Sequence, residues 1–171
     1  MRIALTGTPG TGKTTVAEHL ETDLRVVPLG DLVDEEGLDA GFDDVRDTVI
    51  IDEERFRNHI DGWTDVLFES HVSHRLDVDR VIVLRCHPDE LERRLRERDV
   101  NERSIVENAQ SEALDIILAE AVDRHGAEHV AEIDTTDLSI EEVVAAVEAA
   151  IEGEGLGTVG TVDFTGYIHD C

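Results

Sequence analysis

Short apolar runs alternate along the chain with longer stretches in which apolar residues recur every three or four positions. The short runs are typical of buried strands, and the longer stretches are typical of helices with one buried face. Strands that alternate with helices predict an α/β protein with a parallel sheet. The predicted strands are 3–5, 25–29, 66–68, 81–84 and 129–133, and the predicted helices are 14–20, 52–60, 88–97, 103–125 and the segment that begins at Ser139.

Two segments depart from this alternation. The chain is predicted to turn out of its second strand at 30–32. Residues 34–47 are rich in acidic residues, which predicts a loop. This loop is either a mobile segment over a site or a solvated loop. Four glycines from 153 to 160 predict a flexible linker. The sequence therefore predicts a domain at 1–152 and a glycine-linked tail at 153–171, whose aromatic end docks on the body or on a partner.

The loop between the first predicted strand and the first predicted helix matches a phosphate-binding pattern. Residues 7–14 read Gly-Thr-Pro-Gly-Thr-Gly-Lys-Thr and fill every fixed position of G-x-x-x-x-G-K-[ST]. Glycines leave room for backbone N–H groups to converge on a phosphate, and the positive end of the following helix points at the same place. Lys13 can reach the β- and γ-phosphates, and the Thr14 hydroxyl can bind Mg²⁺. The loop predicts a site for a nucleoside triphosphate.

Polar residues follow the third predicted strand. Glu69 and His71 come directly after 66–68, and the carboxyl ends of parallel strands are where α/β sheets bind ligands. An acid at this place is expected to hold Mg²⁺, directly or through water, whereas the next strand ends in Arg85 and offers no acid. Glu69 is therefore predicted on the metal side. His71 is expected to handle a proton, to orient water or to cap the next helix, and His74 is expected on the surface.

Arginines concentrate in one part of the chain. Five of them lie between residues 93 and 103. Glutamates at helical spacing account for part of this cluster, including Arg94 and Arg96. Arg98 lies at the predicted turn 98–101, where it can leave the helix and reach a phosphate. Because a helix, an arginine-bearing turn and a second helix form the small lid of phosphoryl-transfer kinases, the segment predicts a lid.

Composition bounds the class of protein. With 171 residues, 40% of them hydrophobic, the chain suits one domain with a single core. No apolar run approaches the roughly 20 residues of a membrane span, and the first strand leaves no place for a signal peptide. Cys86 and Cys171 are too few for a disulfide framework or a metal site. These features predict a cytoplasmic protein without a membrane partner.

The charge is the unusual feature of the composition. Forty-one acidic residues against 15 basic ones give a net charge of −26, and Lys13 is the only lysine. Such self-repulsion destabilises the compact state in dilute buffer, whereas in molar salt the screening length falls to about 3 Å. The charge favours the salt-filled cytoplasm of a halophilic archaeon over the simpler alternative of an acidic protein. It also argues against DNA binding, which needs a basic patch.

Together these residues resemble the adenylate kinase isoenzyme 6 family, P-loop kinases also described as small-subunit ribosome maturation factors. The resemblance implies a nucleoside-monophosphate-kinase fold: a five-stranded parallel sheet with helices on both faces, a monophosphate-binding segment near 28–51 and a lid near 97–107. It covers about residues 3–125, and its motifs are 7–15, 30–32, 51–55, 69–71, 98–102 and 107–108.

The resemblance also implies roles for individual residues. Lys13, His71 and Arg98 are the implied catalytic residues, Thr14 and Glu69 hold Mg²⁺, and Asp31 and Arg55 contact the monophosphate. Glu69 is one methylene longer than the family's aspartate. The family's tyrosine-rich stretch is replaced by Phe42-Asp43-Asp44, which leaves base selectivity open. The implied ATP contacts are Gly10, Gly12, Lys13, Thr14, Thr15 and Arg98.

Three functions remain open at this point. The first is a kinase that transfers a phosphoryl group from ATP to AMP or another nucleoside monophosphate. The second is an ATPase that drives late maturation of the small ribosomal subunit and its rRNA, with a platform ribosomal protein and the pre-ribosomal subunit as the partners that the resemblance implies. The third is a kinase of the same fold for a small metabolite such as shikimate.

Overall fold

A central sheet of five parallel strands organises the part of the chain that the computed structural model describes, residues 1–43 and 48–169. The strands are β1 (Arg2–Gly7), β2 (Arg25–Pro28), β3 (Asp39–Asp43), β4 (Thr48–Ile51), β5 (Val66–Glu69), β6 (Arg80–Arg85) and β7 (Val130–Asp134). The central sheet has the order β2-β5-β1-β6-β7, and every neighbouring pair is parallel. This confirms the predicted sheet. β3 and β4 pair with each other as an antiparallel hairpin.

Helices lie on both faces of the sheet, as predicted. Ser139 and Glu142 form a capping box at the start of the last long helix, and Pro88 begins the helix that precedes the predicted lid segment. None of the described helices is long and apolar enough to cross a membrane. The helices are α1 (Lys13–His19), α2 (Leu29–Glu36), α3 (Glu53–His59), α4 (Pro88–Arg96), α5 (Glu102–Ala113), α6 (Ile116–His125), α7 (Ile140–Ile151) and α8 (Gly166–His169).

Alternate residues of the middle strand serve two separate hydrophobic layers. Ile3 and Leu5 of β1 are buried against α1 and α7 on one face of the sheet. Ala4, between them, faces α6 on the other face. This period-2 alternation fixes the strand between its helices, because a shift of one residue would exchange the two sets of side chains. The loop after Gly7 is therefore attached to the middle strand of the sheet, which is buried on both faces.

The prediction of an acidic loop at 34–47 is wrong for most of the residues in this range that the structure describes. Residues 30–36 belong to α2 instead of turning out of the strand, and 39–43 form β3. Leu32 and Val33 are buried while the acids of α2 face solvent, so the acidic run is the wet face of a short helix. The hairpin is held by backbone pairing, which hydropathy does not register. Residues 44–47 lie outside the described part of the chain.

The single helix predicted at 103–125 is two helices. Asp115 has φ 56°, a left-handed conformation that ends α5 and starts α6. Its carboxylate pairs with Arg85, which holds the break in place. Leu114, an apolar residue at this break, is 55% exposed as a result.

The C-terminal tail packs on the body of the protein. Leu156 packs against the core layer of α1 and α7, and Val159 packs against that of α6. Phe164 is buried. Of the two outcomes expected for the tail, the structure therefore shows docking on the body.

Candidate functional site

The phosphate-binding loop follows β1 at the carboxyl edge of the sheet. Gly7 has φ 143°, and a Cβ there would lie 2.4 Å from the carbonyl oxygen of Leu84, so no other residue fits without displacing β6. Gly10 and Gly12 also have positive φ values, 98° and 99°, which favour glycine. The turn ends at Lys13, the first residue of α1, and the positive end of that helix faces the loop.

Lys13 is buried inside its own loop. Its Nζ donates hydrogen bonds to the backbone oxygens of Gly7 at 2.8 Å and Thr8 at 3.0 Å. Burial lowers the pKa of Lys13 to about 8, although the carboxylates of Glu69 and Glu112 act in the opposite direction. A phosphate offers the ammonium charged acceptors in place of neutral carbonyls, and charge-assisted hydrogen bonds are the stronger kind. Lys13 is thus positioned for an anionic ligand at the mouth of the loop.

Glu69 and Thr14 lie together beside Lys13. Glu69 ends β5, pairs in register with Leu5 and is 7% exposed. Burial raises the pKa of Glu69 and Asp31 raises it further, whereas the charge of Lys13 and the nearby Thr14 hydroxyl lower it. A bound cation would compensate this buried charge. The two oxygens therefore fit Mg²⁺, which takes one or two protein ligands and completes its shell with phosphate and water.

His71 lines a cleft beside the loop. The cleft has a volume of about 1030 Å³, and its walls include Thr8 and Pro9 of the loop, Arg98 and Asn108. The surrounding protein and the positive charge of Lys13 lower the pKa of His71 to about 4. The imidazole is therefore neutral at neutral pH, and one of its nitrogens can accept a hydrogen bond from water.

Arg98 differs from the other arginines of its segment. It follows α4, is exposed and lines the cleft, and within the described chain its side chain has no ion pair. Its charge is close enough to Lys13 to lower the pKa of that lysine. Helical pairing accounts for the other four, as predicted for Arg94 and Arg96: Arg93 pairs with Glu90 and Glu97, Arg94 with Glu90, Arg96 with Glu92 and Glu102, and Arg103 with Glu107.

The two residues suggested for the monophosphate are placed differently. Asp31, in the first turn of α2, lies near enough to Glu69 to affect its pKa. Arg55 lies on the exposed side of α3, and no contact described for it reaches Lys13, Glu69 or Arg98. The stretch suggested to bear on base selectivity begins at Phe42 in β3, and its Asp44 lies outside the described residues.

His74 was expected on the surface, and the structure contradicts this. The ring is 1% exposed. Its Nδ1 lies 3.0 Å from the Thr6 hydroxyl in β1, and its Nε2 lies 3.0 Å from Glu120 in α6. The sequence around His74 is polar, so hydropathy gave no sign of burial. His74 ties the segment after β5 to the strand that carries the loop.

Glu112 is a site residue that the sequence analysis missed. Its carboxylate accepts a hydrogen bond from the Thr8 hydroxyl of the loop and, 2.7 Å away, from Nε of Arg85. Ile105 and Ala109 lie on the same buried face of α5 as Glu112. A glutamate in line with buried apolar residues is a detectable sign, since a buried acid needs a partner.

Known proteins are similar to this chain along most of its length. A family model described as an AAA domain matches residues 3–115. A protein named "Putative adenylate kinase" from Natronomonas pharaonis is 51% identical over 98% of this chain and all of its own length. One of the same name from Halobacterium salinarum is 52% identical with the same coverage. One from Archaeoglobus fulgidus is 44% identical over 90% of this chain and 84% of its own.

The crystal structure of shikimate kinase from Bacteroides thetaiotaomicron aligns with 89% of this chain and 98% of its own, at a TM-score of 0.49 and 22% sequence identity.

Proposed function

The chain belongs to the adenylate-kinase-like family of P-loop proteins found in halophilic and other archaea, and on this premise we propose that it transfers the terminal phosphoryl group of ATP to AMP or a related nucleoside monophosphate. The observation that carries the proposal is that the side chains of Glu69 and Arg98 lie close enough to Lys13, at the phosphate-binding loop, for their charges to affect its pKa. An ammonium, a metal-side carboxylate and a guanidinium without an ion pair in the described part of the chain suit a triphosphate donor.

The donor site works by positioning and charge. The loop amides and Lys13 hold the β- and γ-phosphates, and Thr14 and Glu69 would hold Mg²⁺, which neutralises developing charge when bound. Arg98 reaches the transferring group from the lid. The bond between the γ-phosphorus and its bridging oxygen breaks as an oxygen of the acceptor phosphate forms a new bond, so that ATP and AMP give two ADP. The acceptor oxygen is already anionic, so the step needs no general base.

We assign binding of the acceptor, the nucleoside monophosphate, to the segment 28–51. It contains α2, which carries Asp31, and the hairpin of β3 and β4. Holding both substrates in line turns a bimolecular step into a unimolecular one, which can lower the barrier by about 7–11 kcal/mol. We place this reaction in the cytoplasm, as the composition predicted.

A second activity, ATP hydrolysis, is proposed for the same site. Hydrolysis needs a water held near the γ-phosphate. His71 is neutral, lies in the cleft and is close enough to Lys13 for the lysine charge to affect its pKa, which supports it as the group that orients this water. With the resemblance, this supports a role in late maturation of the small ribosomal subunit and its rRNA, with a platform ribosomal protein as partner.

One set of rates tests both activities. In molar KCl, ATP turnover is measured without acceptor, with a panel of nucleoside monophosphates, with shikimate and with the candidate ribosomal protein. The proposal expects AMP or a related monophosphate to give the highest rate. Acceleration by shikimate alone would overturn it.

His71→Ala separates hydrolysis from transfer. We expect this variant to lower the ATPase rate by about tenfold or more and the AMP phosphorylation rate much less, because only hydrolysis uses the water. ATP affinity should stay nearly unchanged. His129→Ala, which alters an exposed histidine outside the cleft, should leave both rates as they are. Equal losses in both rates of His71→Ala would remove the water-orienting role.

A further inference from the structure

A buried arginine lies behind the phosphate-binding loop. Arg85, the last residue of β6, is 1% exposed. Three carboxylates surround its guanidinium: Glu112 at 2.7 Å from Nε, Glu132 at 2.6 Å from Nη1, and Asp115 at Nη2. Nη2 also donates to the backbone oxygen of Glu112 at 3.1 Å. Burial opposes the charge, but Glu112 and Asp115 together raise the pKa of Arg85 above its ordinary value, so the arginine stays charged.

On one side this group reaches the phosphate-binding loop. One carboxylate oxygen of Glu112 accepts a hydrogen bond from Arg85, and the other accepts a hydrogen bond from the Thr8 hydroxyl. The backbone oxygen of Thr8 in turn accepts hydrogen bonds from Lys13 Nζ at 3.0 Å and from the Thr11 hydroxyl at 2.9 Å. The position of Lys13 therefore depends, through two hydrogen bonds, on the position of the Glu112 carboxylate.

On the other side the same group reaches the C-terminal tail. Glu132 accepts a hydrogen bond from the backbone N–H of Thr161 at 3.0 Å with the oxygen that does not bind Arg85. The ring of Phe164 covers the Arg85 guanidinium at 5.4 Å and packs edge-on against His87 at 5.2 Å. Phe164 is 8% exposed. The tail thus covers Arg85 and Glu132 on this side, while the Asp115 side chain stays partly exposed.

We propose that Glu112 is a positioning residue for the phosphate-binding loop, and that the tail segment 161–167 sets its position by keeping the Arg85–Glu112 pair dry. The inference rests on the proposed function, since it assumes that the loop binds ATP. A buried ion pair keeps a fixed geometry because water does not compete for its hydrogen bonds. Once Phe164 is removed, water reaches the Arg85 guanidinium. The Glu112 carboxylate then keeps the backbone N–H of Cys86, 3.1 Å away, but its bond to Arg85 is weakened, and the anchor of Thr8 loosens.

A double-mutant cycle on ATP binding tests the connection. Mg²⁺-ATP affinity is measured by calorimetry in molar KCl for the wild type, Thr8→Val, Phe164→Ala and the double variant. Thr8→Val removes the hydroxyl that Glu112 holds, and Phe164→Ala removes the cover over Arg85. Each is expected to weaken binding by about three- to tenfold, the size of one hydrogen bond. The double variant should show no further loss of ATP affinity beyond that of the single variant with the lower affinity, because both changes break the same connection.

Two outcomes would overturn the inference. One is unchanged ATP affinity in Phe164→Ala, and the other is a double variant whose loss equals the product of the two single losses. If Phe164→Ala does not fold, Phe164→Leu replaces it in the same cycle. It removes the ring from the guanidinium but keeps part of the apolar cover, so the expected loss of affinity is smaller, about twofold, and the double variant should again show no additional loss.

Val159→Ala is the matched control for a merely structural tail. It weakens packing of the same tail against the α6 layer, and no contact described for Val159 involves the buried charges. Its melting temperature should fall while its ATP affinity stays at the wild-type value. A wild-type protein that bound no ATP would instead contradict the proposed function, so the two failures are distinguishable.

Discussion

Lys13 is the residue on which both proposed activities depend, and its environment makes binding sensitive to pH. Burial places its pKa near 8 in the free protein. A bound phosphate favours the charged ammonium, so the lysine must take up a proton on binding when the pH is above that value. ATP binding is therefore strong below pH 8 and weakens above it.

We expect the dissociation constant of ATP to rise by up to about tenfold per pH unit between pH 8 and 10. Lys13→Arg is the matched control, because arginine stays charged over this range, and its affinity, even if lower overall, should show no such slope. Calorimetry at five pH values in molar KCl gives both curves. A flat wild-type curve would show that the ammonium is fully charged in the free protein.

His71 affects the stability of the protein in acid. Its pKa is about 4 in the folded state against an ordinary value of 6.5, so between these values the unfolded chain binds more protons than the folded one. Stability is therefore lost as the pH falls from 6.5 towards 4. His71→Gln should lose less stability over this interval, as measured by urea unfolding at each pH. Parallel curves for the two proteins would contradict the lowered pKa.

At the scale of elements, the proposed lid depends on Arg98, which has no ion pair with the residues that the structure describes. Arg98→Ala should lower turnover by about tenfold or more, since it removes a charge-assisted contact to ATP. Arg93→Ala removes the same charge from the preceding helix, where it pairs with Glu90 and Glu97, and should leave turnover within about twofold. Steady-state turnover rates of both variants, compared with the rate of the wild type, test this prediction. Equal rates for Arg98→Ala and the wild type would make the lid assignment wrong.

The strands and long helices of this molecule were predictable because their cause is local. Apolar runs predicted the five parallel strands, and α7 begins directly after Ser139, where the last helical segment was predicted to begin. The loop from Gly7 to Thr14 was predictable because its chemistry demands particular residues at fixed spacing.

Elements that depend on distant partners were not predictable in the same way. The break between α5 and α6 depends on Asp115 reaching Arg85, 30 residues earlier in the chain. His74 is buried because Thr6 and Glu120 come to it from a strand and a helix distant in sequence. Such contacts leave no period in the sequence, so hydropathy alone misplaced these residues.

The whole molecule carries a charge that its fold must tolerate. With a net charge of −26, the surface repels itself over about 10 Å at 0.1 M salt and about 3 Å at 1 M. We expect the melting temperature to rise by about 10 °C or more between 0.1 M and 2 M KCl, as relief of several kcal/mol of repulsion would produce. Differential scanning calorimetry measures this rise. A melting temperature that did not change would contradict adaptation to high salt.

The central claim is that this site moves the terminal phosphoryl group of ATP onto a nucleoside monophosphate. The most direct measurement follows the label from γ-³²P-ATP in the presence of AMP, in molar KCl with Mg²⁺. The account predicts that the label appears in the β-phosphate of ADP, and that Lys13→Ala abolishes the transfer because the charge on the β- and γ-phosphates is no longer neutralised. Label found only in inorganic phosphate, with AMP and every other monophosphate left unlabelled, would contradict it.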